Sequence, residues 1–335
     1  MTSTQDITIR RLVADDGLAL SQCFQRCYGL SYAVADFYDP AAIRARLEDG
    51  TLRSVVAVTS SGAIVGHIGL TIRDPRARTV DAGNSIVDLR YRGQQLIVRL
   101  ARGIVELCCE SRFLGFHHYP TTAHPIMQRF AVESGGIETG IMLDYIPPGT
   151  EYHEIEEGPQ HDRPAVVVVY QPLEHAPARE VFAPEVLKDL IVVIYARCQL
   201  LRTVGHGRCS LLPSVPTRMQ SAHDRRRGLL RIDVTQVGED LRDRVRAAIA
   251  GIDVPVCQID LRMAEPATPT AVEVLREFGF FFSAVLPEYL DGDVLRLQRV
   301  ASETLPSPEL VTDDARQLLA VIETDRSRSH RPRAC

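Results

Sequence analysis

One spacing occurs twice along the chain. Gly93 is followed by Pro125 and, ten residues after that, by Gly135; Gly238 is followed by Pro269 and, again ten residues on, by Gly279. The glycine-to-proline intervals agree to within one residue. Gly93-Gln94-Gln95-Leu96 and Gly238-Glu239-Asp240-Leu241 each follow an apolar strand-like run and precede a helical pattern, and Glu133-Ser134-Gly135 matches Glu277-Phe278-Gly279. Self-similarity on this scale predicts two copies of one domain plan. A length of 335 residues agrees, because chains of that size divide into about two cores.

The elements of the first copy read in order. "ITIRRL" alternates as a strand, and "ADDGLALSQCFQRCYGL" is helical with acidic residues at its front. "SVVAVTSSGAIVGHIGLTI" holds two strands divided by the turn Ser60-Ser61-Gly62, and "VDAGNSIVDL" adds a third, which predicts an antiparallel meander. A helix follows from about Gln94 to Arg112, then a strand in "LGFHHYP", a short helix in "HPIMQRFAVESGG" and a strand in "IETGIMLDYIP". Residues 147–164 are rich in proline, glycine and acid and read as a linker or lid.

The second half resumes with "AVVVVYQPL", a helix in "APEVLKDLIVVIYARCQLL", and strands in "LLRIDV", "VPVCQIDLRM" and "GFFFSAVLP". The predicted class is α/β (α+β), a mixed and mostly antiparallel sheet flanked by helices in each domain. The first domain covers 1–146 and the second 165–302, with a C-terminal helix and tail over 303–335. The tail "TDRSRSHRPRAC" reads as disordered.

A net charge of −5 removes the basic excess that nucleic-acid binding needs, so any anion site is local. Lys188 is the only lysine among 38 basic residues. The eight cysteines form no paired C-x-x-C clips, which predicts no zinc site and no disulfide framework. They read as small core residues of a cytoplasmic protein. No apolar run approaches the roughly 18 residues that span a bilayer.

The stretch "LRYRGQQL", residues 89–96, stands where a strand hands over to a helix. Helix N-termini carry unpaired N–H groups and the positive end of the macrodipole, so a glycine-containing turn there suits a phosphate. The second copy has Glu239 and Asp240 at the same place, which repel one. Only the first copy is expected to bind an anion.

These residues resemble the GCN5-related N-acetyltransferases, the GNAT superfamily. The likeness lies in "SIVDLRYRGQQLIVRLARGIVE", where the family has a strand, the loop pattern (Arg/Gln)-x-x-Gly-x-(Gly/Ala) and a helix. Arg90 and Gly93 match, and Gln95 stands where the family has Gly or Ala. The order of elements over 7–146 matches too, and 166–300 looks like a degenerate second GNAT domain.

The resemblance implies an acyl-CoA, or an acyl-phosphopantetheine on a carrier protein, as donor co-substrate, with no permanently bound cofactor. Its pantetheine arm would lie along Ile86 and Val87. Its phosphates would meet the N–H groups of Arg92, Gly93, Gln94, Gln95 and Leu96. The acceptor would be an amine of a small molecule, as in natural-product pathways, and Arg90, Arg92 and Arg99 would face an acyl carrier protein.

The tyrosine that the family often carries as acid on the following helix is missing from "HPIMQRFAVE", and Tyr119 is the substitute. His124, His118 and Asp81 are the candidate bases. Asn84, Asp144 and Tyr145 are the candidate acceptor-binding residues. A structural role is open to each of these: capping for His124, a strand pair for His117 and His118, a turn for "DAGN" and a strand end for Asp144. The missing tyrosine and Gln95 also admit a non-catalytic acyl-CoA sensor, and the acidic "EYHEIEEG" admits protein acetylation.

Overall fold

β-branched runs separated by short polar turns put most of the strands of this chain into mixed, mostly antiparallel sheet, and helices flank it. A computed structural model describes residues 6–150, 162–205, 211–305 and 307–329. The chain divides into two compact units. Of the described residues, those up to His118 form the first, with Pro148–Thr150 and Asp162; Tyr119–Pro147 and those from Arg163 onward form the second. The helix and strand predicted over residues 124–147 therefore count with the second unit and not with the first.

In the first unit β1 (Ile7–Arg11) leads to α1 (Gly17–Tyr28) and α2 (Pro40–Glu48). The second helix is absent from the sequence reading, although Asp39 caps it by accepting from Ala41 N–H at 2.9 Å and Pro40 opens it. Then come β2 (Leu52–Thr59), β3 (Ile64–Thr71), β4 (Thr79–Val87), α3 (Leu96–Glu110) and β5 (Gly115–His118). Strands β1 to β4 form the expected antiparallel meander, and β5 joins β4 in parallel after the α3 crossover. Phe24, Phe37, Ile43, Leu52 and Ile64 lie in a buried cluster with Ile86 of β4.

The second unit holds α4 (Ile126–Glu133), β6 (Ile137–Met142) and β7 (Val166–Pro172). β8 (Arg179–Phe182), α5 (Lys188–Arg197) and β9 (Arg202–Gly205) follow, β8 and β9 pairing in a small parallel sheet that the sequence reading did not contain. Next are β10 (Arg218–Asp224), β11 (Leu229–Gln236), α6 (Leu241–Ile249), β12 (Val256–Arg262), α7 (Thr268–Arg276), β13 (Phe281–Leu286), β14 (Val294–Val300) and α8 (Asp313–Ser329). The main sheet of this unit runs β7-β6-β13-β14-β12-β11-β10. α8 carries the chain as helix to Ser329, so the first half of the predicted disordered tail is helical. Most of the predicted linker lies outside the described residues, as does the end of the tail.

At the meeting of β6 and β13 one residue pair, Gly140 with Ala284, touches. A Cβ at Gly140 would stand 2.2 Å from Ser283 O, so glycine is required for the approach. Side chains complete the seam: Gln298 donates to Ile141 O at 3.0 Å and accepts from Leu143 N–H at 2.9 Å.

The two stretches that share a spacing also share backbone detail. β3-β4-α3-β5 and β10-β11-α6-β12 are each an antiparallel pair followed by a parallel crossover. Gln95 and Asp240 flank the starts of α3 and α6. Gly135 and Gly279 end α4 and α7 at φ +87° and +81°. The ladder of β6 with β7 shifts register between Glu138 and Gly140, and that of β13 with β14 between Phe282 and Ala284, which places the extra residue at Thr139 and at Ser283.

Candidate functional site

β4 is the element on which the two stretches part company. It pairs with β5 only through Thr79, Val80 and Asp81, opposite Gly115, Phe116 and His117, and then continues to Val87 with no further ladder to β5. β11 and β12 instead pair over six consecutive residues, Leu229 to Val234. Among the described residues, a strand that parts early from its parallel neighbour ahead of a crossover helix is thus found at β4 and not at β11.

The opening coincides with a bulge. Opposite His67 and Gly69 of β3 stand Ile86 and Gly83, so β4 carries one extra residue there, and Asn84 has φ +54°. Asn tolerates this left-handed geometry better than most residues. Two side chains hold the bulge. His67 Nδ1–H donates to Asn84 O at 2.8 Å, which makes Nε2 the acceptor for the Ser54 hydroxyl at 3.0 Å. The Tyr32 hydroxyl donates to Asn84 Oδ1 at 2.8 Å. His67 is fully buried, and burial pushes its pKa down to about 4 despite the carbonyl contact, so the ring is neutral.

Beyond Val87 the chain turns at Asp88, whose carboxylate is buried. It accepts from Arg90 N–H at 3.2 Å, from Arg90 Nη2 at 2.8 Å and from Arg26 Nε at 2.7 Å. Burial alone would raise its pKa, but the bonds from Arg90 and Arg26 outweigh it and hold the carboxyl at about 2. Arg90, expected to meet a carrier protein, pairs with Asp88 while its side chain stays 67% exposed. Arg99 likewise donates to Ile7 O at 2.6 Å.

The loop then takes two left-handed residues, Gly93 at φ +77° and Gln95 at φ +54°, before α3 starts at Leu96. The first bond into α3 runs from Arg99 N–H to Gln95 O, so the N–H groups of Leu96, Ile97 and Val98 have no acceptor within the helix. A Cβ at Gly93 would meet nothing within 4 Å, so the loop faces open space. One expected donor drops out: Arg92 N–H goes to Leu89 O at 3.3 Å. Gly93, Gln94, Gln95 and Leu96 stay together at the helix entrance. Of the two strand residues, Ile86 points into the core and Val87 is half-buried.

In the stretch that shares the spacing, the loop before α6 is filled by its own chain. Glu239 N–H donates to Val215 O at 3.2 Å, Gly238 N–H to Thr217 Oγ1 at 3.1 Å, and Thr217 N–H to Asp240 Oδ1 at 2.6 Å. A Cβ on Gly238 would lie 2.0 Å from Val215 O.

The remaining candidates divide between the units. Asp81 and His118 belong to the first. Asp81 is buried at the point where β4 leaves β5 and pairs with Arg73 Nε at 2.5 Å. His118 is pushed down to about 4 by burial and by His117 beside it, and its buried Nε2 has no hydrogen-bond partner. Tyr119 and His124 fall in the second unit, Tyr119 packing on its apolar core and His124 lying buried ahead of α4.

Asp144 and Tyr145 also lie in the second unit, past the end of β6 and not on the predicted strand, Asp144 in a turn and Tyr145 just after it. Asp144 O accepts from Arg163 Nε at 2.9 Å, and the Tyr145 hydroxyl accepts from Arg231 Nη2 at 2.8 Å. Among the described residues no cluster of His, Cys, Asp and Glu could hold a metal ion, and no helix is long and apolar enough to cross a membrane.

No family model matches the chain, and no curated protein matches it. Solved structures similar to about half of it are GNAT acetyltransferases. The spermidine/spermine N-acetyltransferase SpeG from Vibrio cholerae is 13% identical over 50% of this chain and 95% of its own, with a TM-score of 0.39. The ribosomal-protein-S5-alanine acetyltransferase from Vibrio fischeri is 12% identical over 51% and 94%, with a TM-score of 0.40.

Proposed function

We propose that this chain is a GNAT-type N-acyltransferase with one donor site, in the first of two tandem GNAT-like domains, the second being degenerate. One observation carries the reading. β4 leaves β5 at Asp81, bulges at Asn84 and runs into a left-handed loop ahead of α3; β11 carries a bulge of its own at Thr235, yet it stays paired with β12 over six residues, and no residue of the loop before α6 is left-handed.

An open strand edge offers main-chain groups to the amides of a pantetheine arm as it would to an added strand. The loop N–H groups at Gly93 to Leu96 then lie at the end of that edge, where the arm's phosphate would arrive. The donor is an acyl-CoA or a carrier-bound acyl-phosphopantetheine, and the acceptor an amine of a small molecule. Held beside the thioester, the amine gains rate chiefly from proximity.

A second reading, a non-catalytic acyl-CoA sensor, is favoured by the state of the titratable groups in the first unit. Asp81 is engaged by Arg73, and His118 has a pKa far below neutrality. That buried imidazole is not poised as a base near pH 7.

Calorimetric titration with CoA and acetyl-CoA tests the donor site. One site per chain is expected, lost in Gly93→Glu and kept in Asp240→Ala. Binding that survives Gly93→Glu would overturn the placement, and binding without turnover on a panel of amines would favour the sensor. If only an acylated carrier protein binds, the donor is carrier-tethered.

A further inference from the structure

β10 is the last strand of its sheet. Arg218, Gln220, Ser221, Ala222, His223 and Asp224 are exposed and Met219 is half-buried, so the strand is wet on both faces. β3, which holds the same place in the first copy, is covered by β2; beyond β10 there is no strand among the described residues. An uncovered edge presents a row of unpaired main-chain groups, and natural proteins blunt such edges with lysine, proline or bulges. β1, the outer strand of the first unit, is guarded: Arg99 covers Ile7 O, Arg10 covers Arg11 O at 2.9 Å, and two arginines stand side by side. β10 contains neither lysine nor proline, and the one bulge of its ladder with β11 lies at its first residue, the extra residue being Thr235 of β11, which leaves Met219–Asp224 in regular register.

The charges of β10 are placed at its two ends. Arg218 lies three residues before Ser221 and Asp224 three residues after it. We propose that β10 pairs antiparallel with β10 of a second copy, about a two-fold axis at Ser221. That register sets Arg218 opposite Asp224 of the partner subunit, twice per interface, and Ser221 opposite Ser221 of the partner subunit. Opposite charges across a strand pair attract, whereas a parallel pairing would stack Arg218 on its own equivalent. The contact is isologous and closes at two copies.

Asp224 has other engagements in its own chain. Its Oδ1 accepts from Arg227 N–H at 3.0 Å, and Oδ2 lies 3.7 Å from Arg227 Nε. The side chain is still 46% exposed, so a guanidinium from a second copy can reach it.

Sedimentation equilibrium at about 0.15 M salt on the full chain tests the pairing. The wild type is expected to dimerise, Arg218→Asp to raise the dimer dissociation constant at least ~10-fold, and Arg218→Asp with Asp224→Arg to recover it. Facing residues of an antiparallel pair have Cα atoms about 4.5–5.5 Å apart, inside the range a disulfide spans. Oxidised glutathione should therefore join Ser221→Cys chains into a covalent dimer, two thiols giving up their hydrogens as glutathione is reduced. His223→Cys, which faces Met219 of the partner subunit, should not gain such a band. A monomer at all concentrations overturns the proposal, as does a dimer that is indifferent to Arg218→Asp and leaves Ser221→Cys uncrosslinked.

Discussion

The Tyr32 hydroxyl donates to the side-chain oxygen of Asn84 across 2.8 Å, tying the segment between α1 and α2 to the bulge of β4. A phenol on one element thus holds the left-handed residue of another. Tyr32→Phe should cost about 1 kcal/mol of stability in denaturant titration, the worth of one hydrogen bond, and weaken CoA binding by loosening the bulge. Asn84→Gly should keep the left-handed backbone but lose the same bond, and so weaken binding about as much as Tyr32→Phe. Asn84→Ile, forced to φ +54°, should lose about 2 kcal/mol or more.

Asp88 organises the start of the loop. Its pKa, at about 2, lies below that of the unfolded chain, so the folded state favours the carboxylate. The stabilisation is in full force above the unfolded value of about 4 and fades as pH falls through the folded value. Asp88→Asn should cost about 2 kcal/mol at pH 7 and nearly nothing by pH 2. Urea denaturation from pH 7 down to pH 2 measures both ends.

His67 acts with the same sign by a different route. The unfolded imidazole takes up a proton near pH 6.5, but the buried ring resists until about pH 4. Between those values the unfolded chain binds more protons, so stability drops as pH is lowered, at up to about 1.4 kcal/mol per unit from this group. His67→Gln should flatten that slope in denaturant titrations between pH 7 and pH 4. A slope unchanged by the substitution would assign it elsewhere.

Asp240 and Gly93 should behave oppositely. Asp240→Ala removes the acceptor of Thr217 N–H and should lower the stability of the second unit, with donor affinity untouched. Gly93→Glu puts a charged side chain into open space on a φ of +77° and should abolish donor binding. Parallel melting and calorimetry of the two variants separate the effects.

Local patterns in the sequence carried the meander, the crossover helix α3, the Gly93–Leu96 turn and the matching spacings, because each is written in periodicity or in turn residues close along the chain. α2 was missed although Asp39-Pro40 announces it. β10 was missed because an edge strand exposed on both faces shows no alternation. The supports of the candidate site were not legible. His67 reaches Asn84 from 17 positions away and Arg26 reaches Asp88 from 62, contacts that no local pattern encodes. The predicted base set divided for the same reason: His118 and His124 are near in sequence, yet they belong to different units.

The loop before α6 is bonded from residues 215–217 of the same polypeptide. A tethered occupant is present at an effective concentration that dilution does not alter. Filling of that loop is thus constant whatever the metabolite supply, whereas filling of the Gly93 loop would follow the supply. If the Gly93 loop takes the proposed donor, one supersecondary plan serves as a fixed joint in one place and as a concentration-dependent receptor in the other.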